Sequence, residues 1–275
     1  MRRPPIKGYL FDLDGTLVLG DRTGKSYDVL PGAIEVLSHL RERGVPYVVL
    51  TNGSGHPPAQ QAARLRSFGL PVEDTQMFTP SSVTAEVFAR TGIRRVLVLG
   101  TPGVGYALKE QGISITFTGE INCEKVDAVY IGWHPHCGMP DIEAACNAIW
   151  NGAKLYVASD VPFFASRSGR TIGYSYAING AVRRMTRVRA IITGKPSQHA
   201  LRFVARRLGV KVHEVGVVGD DPVVEMSMAR RGGATGFGVC TGTTSRAEWL
   251  KQPLLRRPHH VIQGVHELLE KGWLK

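Results

Sequence analysis

Cysteine is scarce in this sequence, and long apolar runs are missing. The 275 residues include only four cysteines, Cys123, Cys137, Cys146 and Cys240, with no repeating spacing. That excludes a disulfide scaffold as the basis of the fold. His134, His136 and Cys137 in IGWHPHC (131–137) follow no standard zinc spacing, so they read as a polar turn beside an ordinary buried cysteine. No apolar stretch approaches the roughly 20 residues that span a bilayer. The run after Lys7 is broken almost at once by Asp12 and Asp14, and the opening MRRPPIKGYLFDLDG has no signal-peptide profile. The expectation is a soluble, cytoplasmic chain with reduced thiols and no membrane partner. Acidic residues are also few, 23 against 34 lysines and arginines, for a formal charge of +11. Such a surface attracts anions without selecting among them. The densest basic stretch, RRMTRVR (183–189), reads as a solvated face or small-anion steering. Nucleic acid is not the expected partner.

What the sequence does contain is an alternation of short apolar runs with longer amphipathic ones. IKGYLFDL (6–13), PYVVLTNG (46–53), RRVLVLG (94–100), VDAVYIG (126–132), KLYVAS (154–159) and HEVGVVGD (213–220) read as buried strands. ATGFGV (234–239) and HHVIQG (259–264) read as the last strands of a sheet. Helices are expected over 31–44, 57–70, 102–112, 139–152, 197–209 and 222–233, several with proline near the start and glycine at the end. This rhythm predicts an α/β fold with a mainly parallel sheet. VLVLGTPGVG (96–105) has its glycines in the wrong order for a dinucleotide fingerprint and reads as a structural turn. TGKPS (193–197) is not a phosphate loop, because Pro196 follows the lysine where G-x-x-x-x-G-K-[ST] needs a serine or threonine.

The chemistry concentrates at strand ends. In FDLDGT (11–16), Asp12 and Asp14 close an otherwise apolar strand, where an unpaired buried carboxylate is costly. Alternation places both toward the same general side, and the carboxyl ends of parallel strands are where α/β proteins bind ligands. Polar groups follow three further apolar segments. Thr51 and Asn52 offer a hydroxyl and a backbone N–H to a phosphate, Lys195 a point charge beside a helix start, and Asp220 an oxygen ligand to join Asp12 around Mg2+. Taken singly, each has a plainer account: Thr51 as a cap, Lys195 as a neutralising charge, Asp221–Pro222 as a cap followed by proline in the first turn. Convergence of the four segments is more specific than any one of them.

Asp12-x-Asp14-Gly15-Thr16 with Leu17–Gly20, then Thr51, Lys195 and Gly219-Asp220-Asp221, resemble in order the four motifs of the haloacid-dehalogenase-like hydrolase superfamily, in its sugar-phosphate and nitrophenyl-phosphatase branch. The resemblance covers nearly the whole chain. It implies a Rossmann-like core, 1–81 and 189–275, interrupted by an inserted α/β cap at 82–188. It implies Asp12 as nucleophile and Mg2+ ligand, and Asp14 as acid/base and metal ligand through its carbonyl. Thr51, Asn52 and Lys195 would then bind phosphate, Asp220 would be a further metal ligand, and Asp221 and Glu225 would stand just outside the metal shell. Glu225 occupies a position often held by Asp. In the cap, Ser159-Asp160-Val161-Pro162 stands where the branch usually carries Thr-Asn-x-Asp, and His134 where an acid usually falls. Trp133, His134, Asp160, Phe163, Phe164 and Arg167 are the expected readers of the substrate's organic part. The resemblance also admits a homodimer joined through the caps.

The expected activity is Mg2+-dependent hydrolysis of a small phosphate monoester, of a sugar, glycerol, glycolate or cofactor, through an aspartyl-phosphate. The alternatives are phosphoryl transfer to a sugar hydroxyl and a non-enzymatic phosphometabolite- or RNA-binding protein. The intact set Asp12, Asp14, Lys195 and Asp220 argues against the last of these.

Overall fold

Strand alternation decides where each apolar side chain goes. Tyr9 and Phe11 face one layer of core and Leu10 the opposite one; Tyr47 and Val49 are likewise separated from Val48 and Leu50. The computed structural model describes residues 4–20, 26–119, 125–166 and 169–274. Arg167 and Cys123 lie outside the described residues. In chain order the strands are β1 (Gly8–Phe11), β2 (Val18–Gly20), β3 (Tyr27–Val29), β4 (Tyr47–Leu50), β5 (Met77–Phe78), β6 (Arg95–Leu99), β7 (Ser114–Phe117), β8 (Ala128–Ile131), β9 (Lys154–Val157), β10 (Phe163–Ser166), β11 (Gly169–Ile172), β12 (Ile191–Ile192), β13 (Val215–Gly219), β14 (Thr235–Val239) and β15 (His260–Ile262).

Two parallel sheets result. The first has six strands in the order β15-β14-β13-β1-β4-β5, and the second five in the order β12-β9-β8-β6-β7. Every pairing within them is parallel. Each sheet is covered on both faces, as parallel sheets require. In the second, Leu97, Leu99, Val129 and Ile131 fill one layer, and Val96, Val98, Ala128 and Tyr130 the other. The architecture is therefore a Rossmann-like parallel core with an inserted α/β cap.

The sheets divide the chain slightly differently from the motif-based boundaries. Residue 82 falls inside one helix, Pro80–Thr91, whose Val83 packs in the core layer and whose Phe88 packs in the cap layer. At the other end β12 pairs with β9, so the cap sheet runs past residue 188. Two antiparallel hairpins were not legible as strands. The glycine-containing loop after Asp14 forms β2–β3, and the segment after Val161 forms β10–β11. Residues 222–233 open as a π-helical turn, Pro222–Met226, before the α-helix Ser227–Gly232. The cause is local: Asp221 Oδ1 accepts the N–H groups of Val223 and Val224, and the Met226 N–H reaches back to the Asp221 carbonyl. The unexpected helix Tyr174–Thr186 lies in the cap and buries Ile178 and Val182.

Candidate active site

β1 and β13 are neighbours in the core sheet, and their carboxyl ends deliver Asp12 and Asp220 to the same rim. The Asp12 N–H is fixed by the Val218 carbonyl at 2.9 Å. One carboxylate oxygen of Asp12 accepts the Thr16 hydroxyl at 3.3 Å, and the other takes a hydrogen bond from Lys195 Nζ. Lys195 Nζ also lies 2.8 Å from Glu225 Oε1, and the residue is only 1% exposed. Burial works to lower the Lys195 pKa, but Asp12 and Glu225 more than offset it, and the net shift is upward.

Asp220 and Glu225 are buried with Asp12, and one donor oxygen of each lies within 4.8 Å of the others. Asp220 Oδ2 accepts the Thr243 N–H at 2.7 Å, and its carbonyl accepts the Thr243 hydroxyl at 3.1 Å. Backbone crowding here has sequence consequences. A Cβ on Gly15, which has φ +85°, would sit 2.6 Å from Asp220 Oδ2, and one on Gly242 would sit 2.1 Å from the same atom. Burial, then the neighbouring Asp12, push the Asp220 carboxyl up to about 7, against the opposing Thr243 hydrogen bonds. Asp14 is likewise pushed up to about 7, by burial first and Asp12 second, with Lys195 pulling the other way. Glu225 is raised well above the ordinary range, chiefly by burial.

Three buried carboxylates thus cluster around one buried ammonium, which pairs with two of them, Asp12 and Glu225. Such a set lacks positive charge, and its donors are all hard oxygens, so the residues fit a divalent cation such as Mg2+. Glu225 is the less direct ligand of the three, because Oε1 faces Lys195 and Oε2 accepts the Asp221 N–H at 3.2 Å. Asp221 itself is engaged as the cap of the π-helical turn.

Thr51 and Asn52 follow β4 on the other side of Asp12. Thr51 Oγ1 accepts the Gly53 N–H at 2.9 Å, which bends the loop. The Asn52 amide makes a two-point clamp on Lys195. Asn52 Nδ2 donates to the Lys195 carbonyl, and Asn52 Oδ1 accepts the Lys195 N–H, each at 2.9 Å. Asn52 therefore positions the lysine, a role its sequence position did not reveal.

Asp12, Asp14, Thr51, Asn52, Lys195, Asp220, Asp221 and Glu225 all line one cleft of about 720 Å3, open mouth included. The cap closes it with Trp133, Val161, Phe163, Phe164 and Tyr174. Trp133 packs edge-on against Tyr174, centroids 4.5 Å apart, and lies 6.1 Å from Phe164. Core and cap touch here: Ser54 Oγ accepts the Trp133 N–H at 3.0 Å, and Thr101 Oγ1 donates to the Gly55 carbonyl at 3.1 Å. The glycine-rich turn after β6 therefore serves the core–cap contact, with Gly103 seated against the Gly55 backbone.

Two expected cap readers among the described residues, His134 and Asp160, do not line the cleft. His134 faces Asp141, Nε2 to Oδ2 3.7 Å, and Asp160 Oδ1 accepts the Asn179 amide at 3.0 Å. Residues that sequence reasoning missed include Ser54, Thr243 and Tyr174. None sits in a legible motif, and Tyr174 opens a helix that periodicity did not predict.

A parallel α/β core bearing a carboxylate–lysine cluster at its strand ends, under an inserted lid, defines a class of hydrolase. The profile described as haloacid dehalogenase-like hydrolase matches residues 9–114, and a second, HAD-hydrolase-like, matches residues 192–268. The chain is 30% identical over 262 residues to the 5'-nucleotidase YutF of Bacillus subtilis, covering 95% of this chain and 96% of that protein. It is 25% identical over 266 residues to the acid sugar phosphatase of Staphylococcus saprophyticus, covering 96% and 97%. The crystal structure of a hypothetical protein from Pyrococcus horikoshii matches with a TM-score of 0.86 and 25% identity, over 97% of this chain and 99% of that one. The protein belongs to the haloacid dehalogenase-like hydrolases.

Proposed function

We propose that the protein is a phosphatase that hydrolyses a small phosphate monoester in the Mg2+ form. The observation that carries this reading is the bridging of Asp12 and Glu225 by buried Lys195, in the cleft that also holds Asp14 and Asp220. A phosphate dianion repels a carboxylate nucleophile, and fixed positive charge beside both removes that barrier. Asp12, Asp220 and the Asp14 carbonyl would hold Mg2+, which would supply charge neutralisation that Lys195 alone cannot. Asp12 attacks phosphorus: its oxygen–phosphorus bond forms as the ester bond to the leaving oxygen breaks. Asp14 gives its proton to that oxygen. As a carboxylate it then takes a proton from water, which attacks the aspartyl-phosphate and frees Asp12 and inorganic phosphate. A carboxyl pushed up to about 7 by burial and by Asp12 is suited to both halves of this exchange near neutral pH.

Thr51 offers its hydroxyl proton to a phosphoryl oxygen. Asn52 contributes its backbone N–H, because its side chain is committed to Lys195. The cap wall meets the organic part of the ester. Trp133, Phe163, Phe164 and Tyr174 present more aromatic surface than a polyol requires, which supports an ester whose leaving group carries a ring. The names of the two relatives, a nucleotidase and a sugar phosphatase, are both compatible with a ring next to the phosphate.

The test is a phosphate-release screen with Mg2+ across nucleoside, sugar, glycerol, glycolate and pyridoxal monophosphates. The expected result is turnover that chelator abolishes, highest for ring-bearing esters. Folded, Mg2+-supplied protein that releases phosphate from none of them would overturn the phosphatase reading.

A further inference from the structure

Asp141 changes the reading of the histidine–cysteine turn in the cap. On sequence alone His134, His136 and Cys137 form no metal site. In the fold, His136 stays out and the first turn of the helix Met139–Trp150 brings Asp141 in. An imidazole nitrogen of His134, the Cys137 sulfur and a carboxylate oxygen of Asp141 all lie within 4.8 Å of one another. We propose that His134, Cys137 and Asp141 form a transition-metal site, suited to Zn2+, that is separate from the carboxylate cluster of the cleft.

For the His134–Asp141 pair the geometry requires little movement. Zn2+ bonds of about 2.0–2.1 Å to nitrogen and oxygen place two tetrahedral ligands about 3.4 Å apart. His134 Nε2 and Asp141 Oδ2 are 3.7 Å apart, with their side chains only 17% and 18% exposed. Backbone hydrogen bonds shape the turn and orient the carboxylate. The Cys137 N–H reaches the His134 carbonyl at 3.3 Å, closing the turn that returns the cysteine to the histidine. The Gly138 N–H donates to Asp141 Oδ2 at 2.7 Å and orients that carboxylate. Among the described residues, Cys137 Sγ makes one long contact of 3.8 Å, to the Gly138 carbonyl, which leaves the sulfur available.

The donor set also selects the metal. Thiolate and imidazole favour Zn2+ over Mg2+, whereas the cleft offers only carboxylates. Three protein ligands leave a fourth position for water. Binding would expel the Cys137 thiol proton to solvent as the sulfur–metal bond forms. Because Trp133 directly precedes His134, a metal here would pin the loop that carries part of the cleft wall. The inference does not depend on the phosphatase reading.

Co2+ is the probe, since a cobalt–thiolate bond gives a near-ultraviolet charge-transfer band that an all-carboxylate site cannot produce. Chelator-stripped protein is titrated with Co2+ in excess Mg2+, which occupies the cleft. The expected result is a band that saturates at one Co2+ per chain and is bleached by Zn2+. Cys137→Ser removes it and Cys146→Ser keeps it. His134→Ala weakens Co2+ binding at least tenfold, which tests the site should Cys137→Ser fold poorly. Absence of the band in folded protein overturns the proposal, as does its survival in folded Cys137→Ser or unchanged affinity in His134→Ala.

Discussion

Lys195 holds its ammonium in a place with almost no solvent, and the protein maintains it there from two directions. Asp12 and Glu225 neutralise the charge, while the Asn52 amide clamps the backbone beneath it. Removing the nucleophile should therefore stop turnover without emptying the site of countercharge. Asp12→Asn is expected to lower kcat by about 10³-fold or more with an unchanged circular-dichroism spectrum, because acts of a single catalytic unit are lost together. Activity within tenfold of the parent would exclude Asp12 as nucleophile. Asn52→Ala is a different experiment, since it removes two hydrogen bonds and no charge. It should cost about 1–3 kcal/mol of stability. If the clamp positions the ammonium for the phosphoryl group, the loss appears in kcat more than in KM.

Elements in this fold are joined by side chains at their ends as well as by sheet pairing. Asp127 stands just before β8, and its Oδ2 accepts the N–H groups of Arg94 and Arg95 at the start of β6, each at 2.9 Å. Those two backbone hydrogen bonds are the main reason its carboxyl is held below the ordinary carboxylate range. A depressed carboxylate stabilises the fold above its unfolded pKa and loses that contribution as pH falls through the folded value. Asp127→Ala should lower the urea-unfolding free energy by about 1–2 kcal/mol at neutral pH. The gap between variant and parent should narrow below about pH 4, and a gap that widens in acid would contradict this account. The π-helical turn works at the same scale. Its cap, Asp221, and its Glu225 both line the cleft, held there by a π-helical turn where the sequence read a regular helix.

At the scale of the whole molecule, the cleft carboxylates set how stability responds to pH and metal. Asp14 and Asp220 rise from 3.8 to about 7 on folding, chiefly through burial. The native state then binds more protons than the unfolded chain between those values, so metal-free protein should lose stability as pH climbs from about 4 to about 7. Lys195 does not offset this loss, because a lysine with a raised pKa keeps its contribution until alkaline pH. Mg2+ relieves the repulsion only where the carboxylates are ionised. The increase in Tm on adding Mg2+ should accordingly be larger at pH 8 than at pH 5, and equal increases would show that these groups do not control binding. The cap supplies the other half of the site. Trp133→Ala should raise KM for ring-bearing esters and reduce their advantage over glycerol phosphate; an unchanged selectivity ratio would remove Trp133 from substrate recognition. Among the described residues, no helix is long and apolar enough to cross a membrane.

The sequence by itself determined most of the parallel strands, most helices and the polar residues at strand ends. Those features rest on local rules: period-two burial, proline and glycine at helix ends, and polar residues tolerated only where a buried strand stops. Asp12, Asp14, Lys195 and Asp220 were legible because polar groups follow several apolar segments in the order of the motifs they resemble. Only the tertiary structure decided which of them touch. The Lys195–Asp12 contact joins residues 183 apart in the chain, and the Asn52 clamp joins residues 143 apart. Neither Tyr174 in the aromatic wall, nor Thr243 behind Asp220, nor Asp141 beside His134 and Cys137 leaves a local pattern, because each contact exists only once separate elements have packed.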